Sequence, residues 1–229
     1  MTDTVVAGDV TAVRDLSSRL TRSVSAVISG KPEAVGAAVC TLLAGGHLLV
    51  EDVPGVGKTT LVAALARSID ARVTRIQFTS DMLPTDVTGV SVFDAATQEF
   101  RFHPGPVFAN VVIGDEVNRA TPKTQSALLE AMGERQVTVD GSTLPLPAPF
   151  MVAATQNPQD MEGTFPLPEA QRDRFMARIS VGYPDAGAEL AMLDDRRDGD
   201  PLTRVRAVTT PEGVLAAQAA VTGVHLSDE

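Results

Sequence analysis

Asp52-Val53-Pro54-Gly55-Val56-Gly57-Lys58-Thr59-Thr60 stands between a short apolar run, His47-Leu48-Leu49-Val50-Glu51, and a stretch of helical spacing from Lys58 to about Ile69. A buried strand, a glycine-rich turn and a helix start make a phosphate cradle. Glycines let backbone N–H groups approach phosphate oxygens, and the helix N-terminus adds the positive end of its dipole. Pro54, Gly55, Val56, Gly57, Lys58, Thr59 and Thr60 would line such a cradle. Lys58 would reach the β- and γ-phosphates, and the Thr59 hydroxyl would hold Mg²⁺. The pattern departs from its usual form at one position, where the first glycine is replaced by Asp52. The competing reading is a glycine-rich turn carrying a surface lysine.

Three further elements argue for the cradle. Val111-Val112-Ile113-Gly114-Asp115-Glu116 is an apolar strand ending in two carboxylates. Asp115 would orient the Mg²⁺ shell beside Thr59, and Glu116 would polarise the attacking water as general base. A lone Asp-Glu pair at a strand end is otherwise an ordinary solvated terminus. Val152-Ala153-Ala154-Thr155-Gln156-Asn157-Pro158 ends a second strand, and an amide there faces the ligand crevice of a parallel sheet. Asn157 could touch the γ-phosphate, although Asn-Pro is also a simple turn former. In Glu169-Ala170-Gln171-Arg172-Asp173-Arg174-Phe175, Arg174 could be a finger aimed at a neighbouring subunit's γ-phosphate, with Arg172 as the competing candidate. An arginine at a helix end is also an ordinary ion-pair residue.

The remaining pattern predicts an α/β fold. Val13, Leu16, Leu20, Val24 and Val27 recur at three or four residues, giving an amphipathic helix over 11–28, and a second covers 33–43 before Gly45-Gly46 ends it. Strands at 47–51, 73–78, 110–114 and 150–155 alternate with helical segments, which implies a parallel sheet of about five strands between helices. Segments 91–93 and 99–102 read as a hairpin. So do Val137 to Leu146, joined by Asp140-Gly141, a pair suited to a type I′ turn. Asp194–Pro201 reads as a loop, and Thr210-Pro211-Glu212 opens one more helix with Thr210 as its cap. The chain stops soon after, as though cut from a larger architecture.

Composition bounds the function. The 229 residues are 44% hydrophobic and 21% charged, an ordinary globular mix with room for a sizeable core. Lys and Arg number 19 against 29 Asp and Glu, a net charge of −10, with no basic stripe of the kind that neutralises nucleic-acid phosphates. No apolar run is long enough for a membrane span and no secretory signal opens the chain, so a cytoplasmic protein is expected. One Cys and three scattered His offer no disulfide and no transition-metal spacing. His47 reads as a structural polar cap. Met82-Leu83-Pro84 fits either a pore-facing element or a packed turn, and Phe93, Phe100 and Phe102 fit hairpin packing or substrate contact.

Val53–Leu61, Gly114–Gly141 (GDEVNRATPKTQSALLEAMGERQVTVDG) and Ala154–Phe175 together resemble the MoxR family of AAA+ ATPases, and the similarity runs roughly from Ser23 to Glu229. The resemblance implies an ATP-driven ring, a homo-oligomer of hexameric form, acting as a chaperone-like maturation factor. It also implies a protein partner bearing a von Willebrand factor A domain. It assigns Lys58 and Thr59 to Walker A, Asp115 and Glu116 to Walker B, Asn157 to sensor 1 and Arg174 to the arginine finger. Ile28 and Gly30 fall where the family's N-terminal segment lies against adenine, and the first hairpin matches an insertion within helix 2. The implied organisation is an N-terminal helical extension over 1–22, the ATPase domain over 23–208, and the start of a lid or linker over 209–229. The family's lid carries a sensor 2 arginine, for which no residue can be named in this chain. Two other functions remain open, a nucleotide-dependent binding module and a nucleic-acid motor.

Overall fold

The protein is described from a computed structural model that covers residues 7–53, 55–157, 163–183 and 199–224. Helix α1 (Ala7–Ser25) buries Leu16, Leu20 and Val24, one side chain per turn, on a single stripe. Helix α2 (Pro32–Leu43) follows with Pro32 at its first position, and Gly45, at φ 70°, takes the chain out of it. Strand β1 (Leu48–Glu51), helix α3 (Lys58–Arg67), β2 (Val73–Gln77) and the short α4 (Pro84–Thr88) come next. The hairpin β3 (Gly89–Asp94) and β4 (Glu99–Pro104) is two residue pairs longer at its base than its apolar residues suggested. Strand β5 (Val111–Asp115), helix α5 (Pro122–Glu134), hairpin β6 (Gln136–Val139) and β7 (Ser142–Pro145), and strand β8 (Met151–Gln156) follow. Then come α6 (Glu169–Arg172), β9 (Ala177–Ile179) and α7 (Pro211–Thr222). Asp140 and Gly141 both have positive φ, 50° and 76°, as a type I′ turn requires. Thr210 caps α7 by accepting the Gly213 N–H. The loop expected at 194–201 falls mainly outside the described residues, whose nearest part is a 3-10 turn at Pro201–Arg204.

The main sheet has five strands in the order β2-β5-β8-β1-β9, and every pairing is parallel. Continuous apolar strands follow from helices on both faces. Leu48, Val50, Val111, Ile113, Met151 and Ala153 point into one apolar cluster with α1, α2 and α3. Leu49, Val112, Val152 and Ala154 point into the other, with Phe78 and with Leu128, Leu129 and Met132 of α5. Residues two apart on a strand share a face, so each run of four or five apolar residues serves both cores. No described helix is long and apolar enough to cross a membrane.

His47 ties the two halves of the second core together. Its Nδ1 accepts the Val152 N–H at 2.9 Å, so the proton sits on Nε2, which donates to the Met132 carbonyl at 3.1 Å. Burial lowers its pKa from 6.5 to about 4, with the Arg135 charge adding to the drop and the Met132 carbonyl opposing it. The folded state therefore holds a neutral imidazole, and this contribution is whole above pH 6.5 and lost as pH falls toward 4. The loss approaches about 1.4 kcal/mol per pH unit within that window. Thermal melts of wild type and His47→Gln at pH 7.5 and 4.5 check it. The variant should be less stable at the higher pH, and the gap should narrow by about 2–3 kcal/mol at the lower one.

Candidate nucleotide site

The cradle forms at the C-terminal ends of β1, β5 and β8, where the chain leaves three adjacent strands on one rim of the sheet. Gly55 and Gly57 have φ of 87° and 88°, a region side chains disfavour, and open space lies where their Cβ atoms would be. Gly57 caps α3 without any side chain, leaving the first N–H groups of the helix turned toward that space. Pro54 lies outside the described residues. Val56 packs against the same apolar cluster that contains Ile28, Thr60 is half-buried in the first turn of α3, and Gly30 turns the chain at φ 72°.

Lys58 Nζ donates to the Asp52 carbonyl at 2.5 Å and, more weakly, to the Gln156 carbonyl at 3.5 Å. Burial pulls its pKa down, while the charges of Asp52, Asp115 and Glu116 hold it up. Thr59 Oγ1 donates to Asp115 at 3.1 Å. Asp115 is 5% exposed, and its carboxylate also accepts Thr155 Oγ1 at 3.2 Å and Arg75 Nε at 2.6 Å. Thr155 in turn accepts the Glu116 N–H at 3.1 Å, which locks the peptide between the two acids to β8. Glu116 has left-handed backbone, φ 55° and ψ 49°, which swings its carboxylate off the strand line. That carboxylate accepts Gln77 Nε2 at 3.1 Å and Arg119 Nη1 at 3.0 Å. Asn157 is buried beside these strand ends, where Asn118 Nδ2 reaches its carbonyl.

Lys58, Thr59, Asp115, Glu116 and Asn157 thus meet on one rim. A divalent ion fits the donor set: Thr59 Oγ1 and Asp115 are hard oxygen donors within hydrogen-bond reach of each other. Mg²⁺ takes few protein ligands and completes its shell with phosphate oxygens and water. Arg172 and Arg174 lie elsewhere. Arg172 is exposed at the end of α6. Arg174 Nη1 donates to the Leu129 carbonyl at 2.9 Å, and its guanidinium lies against Gly133, where a Cβ would sit 2.0 Å from Nη1. Both contacts are on α5, across the sheet from α3.

Four residues that serve this rim escaped the sequence reading: Arg75, Gln77, Arg119 and Thr155. The first two are alternate residues of β2, and the register pairs Gln77 with Asp115. Their only sequence signal is two long polar side chains on one face of a strand.

A family model described as "ATPase family associated with various cellular activities (AAA)" matches residues 47–177. Chaperone MoxR1 of Mycobacterium tuberculosis is 49% identical over 170 residues, 74% of this chain and 45% of the relative. The chain belongs to the MoxR family of AAA+ ATPases. Another relative of this MoxR-family protein, the uncharacterized Bacillus subtilis protein YeaC, is 49% identical over 213 residues, 93% of this chain and 67% of YeaC. The crystal structure of a candidate ATPase from Cytophaga hutchinsonii superposes with a TM-score of 0.85 at 38% identity, covering 96% of this chain and 66% of that one. This MoxR-family chain therefore spans from under half to two thirds of the relatives it matches.

Proposed function

We propose that this protein binds Mg·ATP and hydrolyses it, as a homo-oligomeric ring, to remodel or mature a protein partner. The observation that carries the reading is the meeting of Lys58 and Thr59, at the start of α3, with Asp115 and Glu116 at the end of β5. In-line attack on the γ-phosphate needs a cation at the transferring oxygens and a base at the water. Lys58 supplies the first and Glu116 the second. Bound Mg²⁺, held by Thr59 and Asp115, would neutralise charge on the β- and γ-phosphates. Asn157 would help position the water, and Ile28 and Gly30 would border the base.

The remodelling role rests on family membership and on a relative named a chaperone. The hexameric ring and a partner with a von Willebrand factor A domain rest on the family resemblance alone. The hairpin β3–β4 supports contact with a protein client. Phe93 and Phe100 pair in a tilted contact at 5.3 Å on one face, Phe100 is 73% exposed, and Val90 and Val92 are exposed on the other face. Phe102 instead packs on Phe108. The acidic balance of the whole chain disfavours a nucleic-acid motor.

Fluorescent-nucleotide titration of Lys58→Ala tests the core of the reading. A charge-assisted contact to phosphate is worth about 1.5–3 kcal/mol, so Mg·ATP affinity should fall by about 10- to 150-fold. Unchanged affinity would overturn the placement of the phosphates at this loop.

A further inference from the structure

Asp52 stands where the phosphate loop usually begins with glycine, and its side chain is fully engaged. Oδ2 accepts the Ser180 hydroxyl at 2.8 Å, the Val181 N–H at 2.8 Å and the Gly182 N–H at 2.6 Å, while Oδ1 accepts the Val53 N–H at 2.8 Å. Burial alone would raise its pKa, yet these donors hold it below the usual carboxylate range, so the group is an anion. A neutral side chain does not satisfy three converging N–H donors and a hydroxyl in this way.

The segment it grips is the chain leaving the sheet. β9 pairs with β1 as far as Val50 opposite Ile179, and the next residues, Ser180 to Gly182, close around the Asp52 carboxylate. Lys31 Nζ holds the following residue through the Tyr183 carbonyl at 2.6 Å. This connector is thus fastened from two sides, by the first residue of the phosphate loop and by the segment next to Gly30. The backbone of Asp52 is meanwhile the resting contact of the phosphate-loop lysine, since Lys58 Nζ sits on its carbonyl. One residue therefore touches Lys58 through its main chain and the connector through its side chain.

We propose that Asp52 is a positioning residue that couples the phosphate loop to the connector Ser180–Tyr183, so that nucleotide phosphates drawing Lys58 off the Asp52 carbonyl change how firmly the connector is held. The inference rests on the nucleotide reading above. A glycine at this position would leave the loop able to bind phosphate but would remove the grip.

Hydrogen exchange on the full chain, with and without Mg·ATPγS, measures the coupling at the amides of Val181 and Gly182, and a parallel fluorescent-nucleotide titration measures binding. Wild type should show a nucleotide-dependent change of at least several-fold at these amides. In Asp52→Asn their exchange should be about tenfold faster or more without nucleotide, as expected on losing charged acceptors. The response to nucleotide should disappear at nucleotide concentrations that the titration shows to saturate the variant. Ser180→Ala removes only the hydroxyl and should give a partial loss, which keeps the test usable if Asp52→Asn folds poorly. A purely structural clasp would give faster exchange in both variants with the wild-type nucleotide response intact, and that result overturns the coupling. So does wild type that binds nucleotide with no change at these amides. Failure of wild type to bind nucleotide at all would sink the ATP reading itself, and this inference with it.

Discussion

Replacing Glu116 with glutamine is expected to leave Mg·ATP bound and to slow its hydrolysis by about 10²–10⁴-fold, the usual contribution of a positioned general base. The substitution keeps the side-chain volume and the left-handed backbone of this position, φ 55°. A glutamine carbonyl can still accept from Gln77 and Arg119, as the carboxylate does now. What disappears is the negative charge that, in the proposed reaction, takes up the water's proton. Single-turnover hydrolysis and nucleotide titration on the same preparation separate the two effects. Loss of binding along with turnover would mean that Glu116 supports the site rather than the reaction. The same variant separates the two leading functions. If client maturation stops while ATP stays bound, hydrolysis drives the work; if it persists, nucleotide binding alone suffices and the chain is a binding module.

Whether a feature of this site was legible in the sequence depended on how local it is. Lys58 and Thr59 follow two glycines within one turn, and Asp115 and Glu116 end one apolar run, so their chemistry shows in contiguous residues. Arg75 and Gln77 act only because β2 lies beside β5, a neighbour relation that spacing along the chain does not display. Asp52 stood out as a departure from pattern, but its partners Ser180, Val181 and Gly182 lie well over a hundred residues away, just after a strand of three residues, Ala177–Ile179, too short to read as one. Helix α5 was missed for a different reason. Its buried face mixes Thr124 and Gln125 with Leu128, Leu129 and Met132, which dilutes the apolar period. Gln125 belongs inside because its amide donates to the Val117, Ala120 and Phe165 carbonyls, tying the loops on either side of the site to the helix. The available signal was Thr121-Pro122, a cap followed by proline at the first helical position, the same device as Thr210-Pro211.

The proposed arginine finger carries the other large effect. Arg174 lies against the Leu129 carbonyl and Gly133 on α5, and α5 covers the opposite face of the sheet from α3 and its Lys58. In the proposed ring, an arginine placed there would serve the phosphates of a neighbouring copy, and fingers supplied between subunits are worth about 10³–10⁵ in rate. Arg174→Ala should therefore lose about that factor in turnover while each chain still binds Mg·ATP. Wild-type turnover per chain should climb steeply with protein concentration. Mixing settles the direction of the contact. Arg174→Ala chains keep an intact phosphate loop, and Lys58→Ala chains keep an intact finger, so the two inactive proteins should recover turnover when combined. No recovery, with both variants folded and assembling, would place the role of Arg174 within its own chain. Arg172→Ala is the companion measurement. Arg172, at the end of α6, is exposed as Arg174 is; if Arg174 is the finger, Arg172→Ala should cost little, and a loss there as large as that of Arg174→Ala would move the finger two residues upstream.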